Sequence, residues 1–163
     1  MSKIHHFKGF SLVDGDMKIK LNMDRFSRQY QEAQYLLDGM VMDSMIEFMP
    51  MITGDFINRT RVKSTSMQGT GFVCAAAAPY GRFLYFGKTM VDPATGSTWA
   101  RHDAEKVLVS QYSGKTNAKE NLQYTKSPHT QVQAEWFDAA KRQYGSTWIR
   151  KVKAQAGGGR HGR

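Results

Sequence analysis

Cysteine is almost missing from this 163-residue chain, where Cys74 is the only one. One thiol excludes an intrachain disulfide and a cysteine-only zinc site. Between Val73 and Ala75 it reads as a small core residue, and a reducing, intracellular origin fits. No run of about 18 apolar residues is present, so neither a membrane span nor a membrane partner is expected. The first ten residues are polar and carry His5 and His6, unlike a signal peptide. Acid is scarce in the second half. Residues 1–80 hold nine Lys/Arg against eight Asp/Glu, whereas residues 81–163 hold fourteen against six. A net charge of +9 so distributed points to a polyanion or an acidic protein as partner.

Catalytic and ligand-binding patterns are missing too. Gly69-Thr70-Gly71 lacks the Lys-Ser/Thr ending of a phosphate loop, and Gly157-Gly158-Gly159 has no helix after it. No Gly-x-Ser-x-Gly elbow occurs. The histidines are scattered, and His102-Asp103 has no second ligand pair at a suitable spacing. Asp14 and Asp16 resemble the start of a calcium loop, without the Gly and Glu that must follow. The expectation is no catalytic residue, no metal, no cofactor and no enzyme.

What is present suits one domain. The chain is 40% hydrophobic, with three Trp, seven Tyr, nine Phe and ten Met. Met adapts its shape and is enriched at contact surfaces. The expected class is α+β: a small antiparallel sheet packed by a long N-terminal helix and a C-terminal helix, with a long loop excursion. Residues 1–23 form an arm, irregular to residue 12, with a strand from Asp16 to Met23. Residues 24–154 form the domain, with 88–132 as the excursion. Residues 155–163 are a basic, glycine-containing tail, expected to be mobile in the isolated chain, as is the excursion.

Within the domain, Phe26, Tyr30, Ala33, Leu37, Met40, Val41, Met45 and Phe48 step by three or four, which predicts a helix over 24–49. Asn22 or Asp24 caps it, Pro50 ends it, and Gly39 permits a close approach or marks a bend. Thr53-Gly54-Asp55 is a turn. The β-branched content of Phe56–Met67 favours a strand, linked by Gln68–Gly71 to a return strand over Phe72–Ala78. Pro79 stops that strand, and Tyr80–Phe86 forms a short helix or aromatic turn. Val91–Gly96 is a turn and Val107–Val109 a short strand. The second helix covers Ala134–Ala154, with Phe137, Ala140, Tyr144, Trp148 (or Ile149) and Val152 inward. Lys141, Arg142, Arg150, Lys151 and Lys153 lie on its other side, and Arg160 and Arg163 follow in the tail.

The densest segment is Ala75-Ala76-Ala77-Ala78-Pro79-Tyr80-Gly81-Arg82-Phe83-Leu84-Tyr85-Phe86-Gly87-Lys88. Small residues, a turn and four aromatics, with no acid or histidine, suit assembly rather than proton transfer. Tyr80, Phe83, Tyr85, Phe86, Lys88 and Trp99 are therefore the candidate subunit or partner contacts, and Thr53, Gly54, Pro79, Gly81 and Gly87 the turn-forming residues.

The order helix, Pro, Thr-Gly turn, two strands, Tyr-Gly aromatic turn, loop and Trp-Phe helix resembles the minor capsid and tail-completion families of tailed bacteriophages. The residues that carry the resemblance are Thr53, Gly54, Pro79, Tyr80, Gly81, Tyr85, Gly87, Lys88, Met90, Val91, Asp92, Pro93, Thr95, Gly96, Tyr124, His129, Trp136 and Phe137. It spans about residues 30–150 and is most specific over Tyr85–Gly96. The resemblance implies a structural virion protein of the neck, without turnover, assembled in the host cytoplasm. It implies a ring of this chain, a hexamer or dodecamer, that contacts portal, adaptor or stopper proteins on one side and tail terminator or tail-tube proteins on the other. Genomic DNA passes through such a ring, and the seven cations named above face either DNA or an acidic partner. The competing reading is a sequence-independent nucleic-acid-binding protein of a mobile element.

Overall fold

A computed structural model describes the backbone of residues 10–14 and 17–21 and the full residues 23–157. The class is α+β, with a long N-terminal and a long C-terminal helix. In chain order the elements are β1 (Phe10–Asp14), β2 (Met17–Leu21), α1 (Asp24–Met45), α2 (Asp55–Thr65), α3 (Gly81–Phe86), β3 (Met90–Val91), β4 (Val107–Leu108) and α4 (Trp136–Ala156). The strands form two separate antiparallel pairs, β1 with β2 and β3 with β4.

The pair β1–β2 runs in register from Phe10 opposite Leu21 to Asp14 opposite Met17. β2 matches the expected strand, whereas β1 replaces the expected irregular start. Gly15-Asp16 between two five-residue runs was the available hairpin signal. Residues 1–9, with His5 and His6, and residues 158–163, with Arg160 and Arg163, lie outside the described residues. At the C-terminal end α4 continues to Ala156, two residues past the expected boundary.

α1 and α4 build the core. The apolar stripe of α1 brings Val41, Met42 and Met45 against Trp136, Ala139, Ala140 and Trp148 of α4, with Phe48, Met49 and Ile57 closing the cluster. The helices run antiparallel: Ser44 near the end of α1 meets Trp148, whose Nε1 donates to its Oγ at 3.2 Å, and Glu32 nearer the start meets Gln155. Of the two inward candidates on α4, Trp148 is buried and Ile149 is exposed. The N-cap position of α1 is Met23 rather than Asn22 or Asp24, with no capping side-chain bond there. The helix tightens into a 3-10 turn over Ile46–Phe48 and ends with Met49 extended, ahead of Pro50. Gly39 serves a close approach: a Cβ there would lie 2.7 Å from Nε2 of Gln68.

The expected hairpin over 56–78 is absent. Phe56–Met67 is mostly α2, and Phe72–Ala78 is irregular, with a bend at Ala75-Ala76 and no strand pairing. The buried positions of α2 are Ile57, Thr60 and Ser64, which is helical spacing. Two of those three are hydroxyl residues, so the inward stripe carried little apolar signal. The hydroxyls face inward because they take over the role of a neighbouring strand. Thr60 Oγ1 donates to Phe56 O at 2.8 Å and accepts from Ala77 N at 3.1 Å. Ser64 Oγ bonds both the carbonyl and the amide of Cys74 at 3.0 Å. Trp136 Nε1 donates to Ala75 O at 2.7 Å. Side chains thus satisfy four backbone groups of the segment, Cys74 N and O, Ala75 O and Ala77 N, that a strand partner would otherwise bond. Cys74 itself is half-buried rather than core.

A buried carboxylate fixes the link from α2. Asp38 of α1, 4% exposed, accepts from Gly69 N at 2.7 Å, Gly71 N at 3.1 Å and Gln34 Nε2 at 2.7 Å. Gly69 and Gly71 both have positive φ, +87° and +81°, which glycine adopts at little cost.

Candidate interaction surface

The aromatic segment folds as α3, and its side chains divide between the core and solvent. The helix begins where the chain doubles back on itself: a Cβ at Gly81 would lie 2.6 Å from the carbonyl carbon of Ala76. That neighbour is backbone and cannot swing away. Gly81→Ala is accordingly expected to cost about 1–3 kcal/mol through overpacking, read as a lower denaturation midpoint. A midpoint equal to the parent's would show that the close approach is not required. Gly87 ends α3 at φ +63°, and a Cβ there would sit 2.9 Å from both the Ala134 Cβ and the Tyr124 hydroxyl. Tyr124 donates to Leu84 O and Glu135 N donates to Tyr85 O at 2.7 Å, so the end of α3 is tied to the start of α4.

Tyr85 points to the core. Its ring stacks edge-on against Trp136 at 4.9 Å and against Phe86 at 5.4 Å. Burial raises its pKa, with the nearby carboxylates of Asp138 and Glu135 adding to the effect. Phe83 is half-buried, whereas Tyr80 (60% exposed) and Phe86 face solvent. Pro79 precedes them through a cis peptide bond. Tyr80, Phe83, Leu84, Met90, Leu122 and Lys106 are among the residues that line an apolar groove of about 300 Å³. Thr53 and Gly54 act away from this surface. Gly54 precedes α2 at φ +85°, and Thr53 Oγ1 bonds the Asp55 carboxylate at 3.2 Å.

The excursion after α3 is held by its own bonds. Lys88 forms a backbone bridge with Asn121, and its ammonium donates to Asn121 Oδ1 at 2.8 Å and Glu120 Oε1 at 3.0 Å. Lys88 therefore buttresses the excursion from within this chain. Val107–Leu108 pairs with Met90–Val91, which places a strand close to the expected Val107–Val109. The expected Val91–Gly96 turn is present and is organised by Asp92, which is 0% exposed. Its carboxylate accepts from Ala94 N at 2.8 Å, Thr95 N at 3.3 Å, Arg101 N at 3.1 Å and Arg101 Nε at 2.9 Å. The bonds from the Arg101 guanidinium, then those from backbone amides, hold the Asp92 carboxyl far below the usual carboxylate range. Trp99, 85% exposed, lies in the loop that the Asp92–Arg101 clasp closes. The sequence marked the turn and the exposed aromatic, while the Asp92–Arg101 pairing nine residues apart left no motif.

The five cations of α4 behave differently from the aromatics. Lys141, Arg142, Arg150, Lys151 and Lys153 are all exposed, and none enters an ion pair among the described residues. They spread around the helix rather than forming a single stripe. His102 Nδ1 lies 2.7 Å from Asp103 Oδ2, both side chains exposed, and His129 Nδ1 lies 2.9 Å from Met49 O. Among the described residues no three His, Cys, Asp or Glu side chains come together as a metal site. No helix is long and apolar enough to cross a membrane among the described residues.

Compared with protein-family models, curated proteins and solved structures, the chain matches none of them.

Proposed function

We propose that this chain is a structural subunit of a tailed-phage neck, a head-to-tail ring that joins the portal-bearing head to the tail and surrounds the DNA path. The observation that carries the proposal is the split aromatic segment. Tyr85 is anchored on Trp136, while Tyr80, Phe86 and the clasped Trp99 are presented to solvent. Large aromatics held rigidly at a surface are what dominate binding energy at protein contacts. A closed ring requires two different faces on each subunit, one meeting the other around the rotation axis. The partners proposed are further copies of this chain, in a hexamer or dodecamer, with portal, adaptor or stopper proteins and terminator or tail-tube proteins at the two ends. The proposed role has no catalytic turnover and no cofactor, and its place is the virion.

The exposed cations of α4, which enter no ion pair among the described residues, support contact with DNA without sequence preference. They also keep the second reading in play, a nucleic-acid-binding protein of a mobile element. Gene order separates the two, because a neck protein lies between capsid and tail-tube genes. Electron microscopy of the purified virion is the direct test: density for this chain is expected at the head–tail junction, and its absence from particles would refute the proposal. Neutralising Lys141, Arg142, Arg150, Lys151 and Lys153 together is expected to give joined particles that lose genome. Heads and tails that never join would place an acidic protein there instead. Normal joining with full genome retention would leave these cations as solvated surface.

A further inference from the structure

α2 carries a basic face that a strand reading conceals. As a strand, residues 59, 61 and 63 would share one side. As a helix, Arg59 and Lys63 stand one turn apart on the solvent face with Val62 beside them, and Ile57, Thr60 and Ser64 face inward. Arg61 is split off toward α1, where its Nη2 lies 3.8 Å from Asp43 Oδ1. The side chains of Arg59 and Lys63 make no ion pair or hydrogen bond among the described residues, and both residues are exposed. The one acid of the helix, Asp55, is bonded to Thr53. Asp55 stands one turn before Arg59 and keeps its charge, so this side of α2 carries two cations against one carboxylate at its N-terminal end.

We infer that Arg59 and Lys63 contact the phosphate backbone of double-stranded DNA, so that α2 is a second polyanion-binding element beside α4. The inference rests on the DNA-contact part of the proposed function and names further residues for it. Side chains one turn apart on a helix are about 5–6 Å from each other, within reach of neighbouring phosphates on one strand. Exposed cations on two separate helices suit an extended polyanion better than a compact acidic patch.

The test is a salt titration of binding to a random-sequence DNA duplex, followed by fluorescence anisotropy between about 50 and 200 mM salt. Each lost phosphate contact lowers the slope of log K against log salt by about 0.9. The Arg59→Ala/Lys63→Ala protein is expected to lose about two units of slope, and each single variant about one. Arg59→Lys is expected to keep the parental slope. If the double alanine variant melts early, Arg59→Gln/Lys63→Gln takes its place with the same expectation. A double variant that keeps the parental slope, while the fivefold α4 variant loses it, overturns the α2 contact and leaves the DNA reading standing. Parental protein that binds no duplex at low salt overturns both. Unchanged slope together with failed head–tail joining overturns the inference in favour of an acidic protein partner.

Discussion

Replacing Trp136 with alanine is expected to destabilise the chain by about 3–5 kcal/mol, the usual range for a buried tryptophan. Trp136 is 0% exposed and lies where every part of the core meets. Its ring packs edge-on against Tyr85 at 4.9 Å and Phe56 at 5.8 Å, so one side chain joins α2, α3 and α4. Its Nε1 also supplies the donor for the Ala75 carbonyl, in a segment without strand partners. Alanine would open a cavity and strand that carbonyl. Trp136→Phe keeps most of the apolar bulk and loses only the donor, so about 1–3 kcal/mol is expected for an acceptor left without its partner. Urea denaturation of the two variants separates the contributions. Equal losses would mean that the hydrogen bond, rather than the packing, holds the 74–77 segment in place.

The same segment shows what could be read in advance. Both long helices were legible from apolar residues at helical spacing, Val41 and Met45 on α1 and Ala140 and Trp148 on α4, although Met42 lies inward outside the expected stripe and its first members, Phe26 and Tyr30, are exposed. Pro50 and Gly87 marked real ends. α2 was not legible, because Thr60 and Ser64 occupy inward positions that a periodicity reading expects to be apolar, and its β-branched residues favoured a strand. A strand for 72–78 followed from that error. Its actual partners, Thr60, Ser64 and Trp136, are side chains from 10 to 61 positions away. No local pattern announces such bonds.

The candidate surface was legible in part for a related reason. Aromatic residues show in a sequence whether they end up buried or exposed, so Tyr80, Phe83, Tyr85, Phe86 and Trp99 could all be named. Which of them would point outward depends on α3 lying against Ala76, a contact written only in the absence of a Cβ at Gly81. The excursion looked polar and aperiodic because it is held by single contacts between distant residues. Lys88 with Glu120 is one, and Thr116 Oγ1 with the Gly96 carbonyl at 2.7 Å is another.

Asp92→Ala is expected to dissolve the clasp and leave the helical core standing. The carboxylate collects the amides of Ala94, Thr95 and Arg101 and the Arg101 guanidinium, and alanine offers none of them an acceptor. Amide hydrogen exchange should therefore accelerate at Ala94, Thr95, Gly96 and Arg101, while α1 and α4 keep their protection. Slow exchange at these four amides in the variant would show that the turn holds without Asp92. The pH dependence follows from the sign of the shift. The carboxyl titrates far below its ordinary value of 3.8 because its charged form is the bonded one. Its stabilisation is then complete above the unfolded value and is lost only as pH falls through the much lower folded value. In the parental protein, exchange at these amides, corrected for intrinsic rates, should stay flat from about pH 7 down to about pH 4. A rise already near pH 5 would contradict the clasp as the support of the loop. Trp99 ties the clasp to assembly: an indole that leaves its fixed position must be ordered again at each contact, which costs affinity. Under the neck proposal, Asp92→Ala is thus expected to weaken ring formation at unchanged core stability, read as subunit mass in solution across a concentration series.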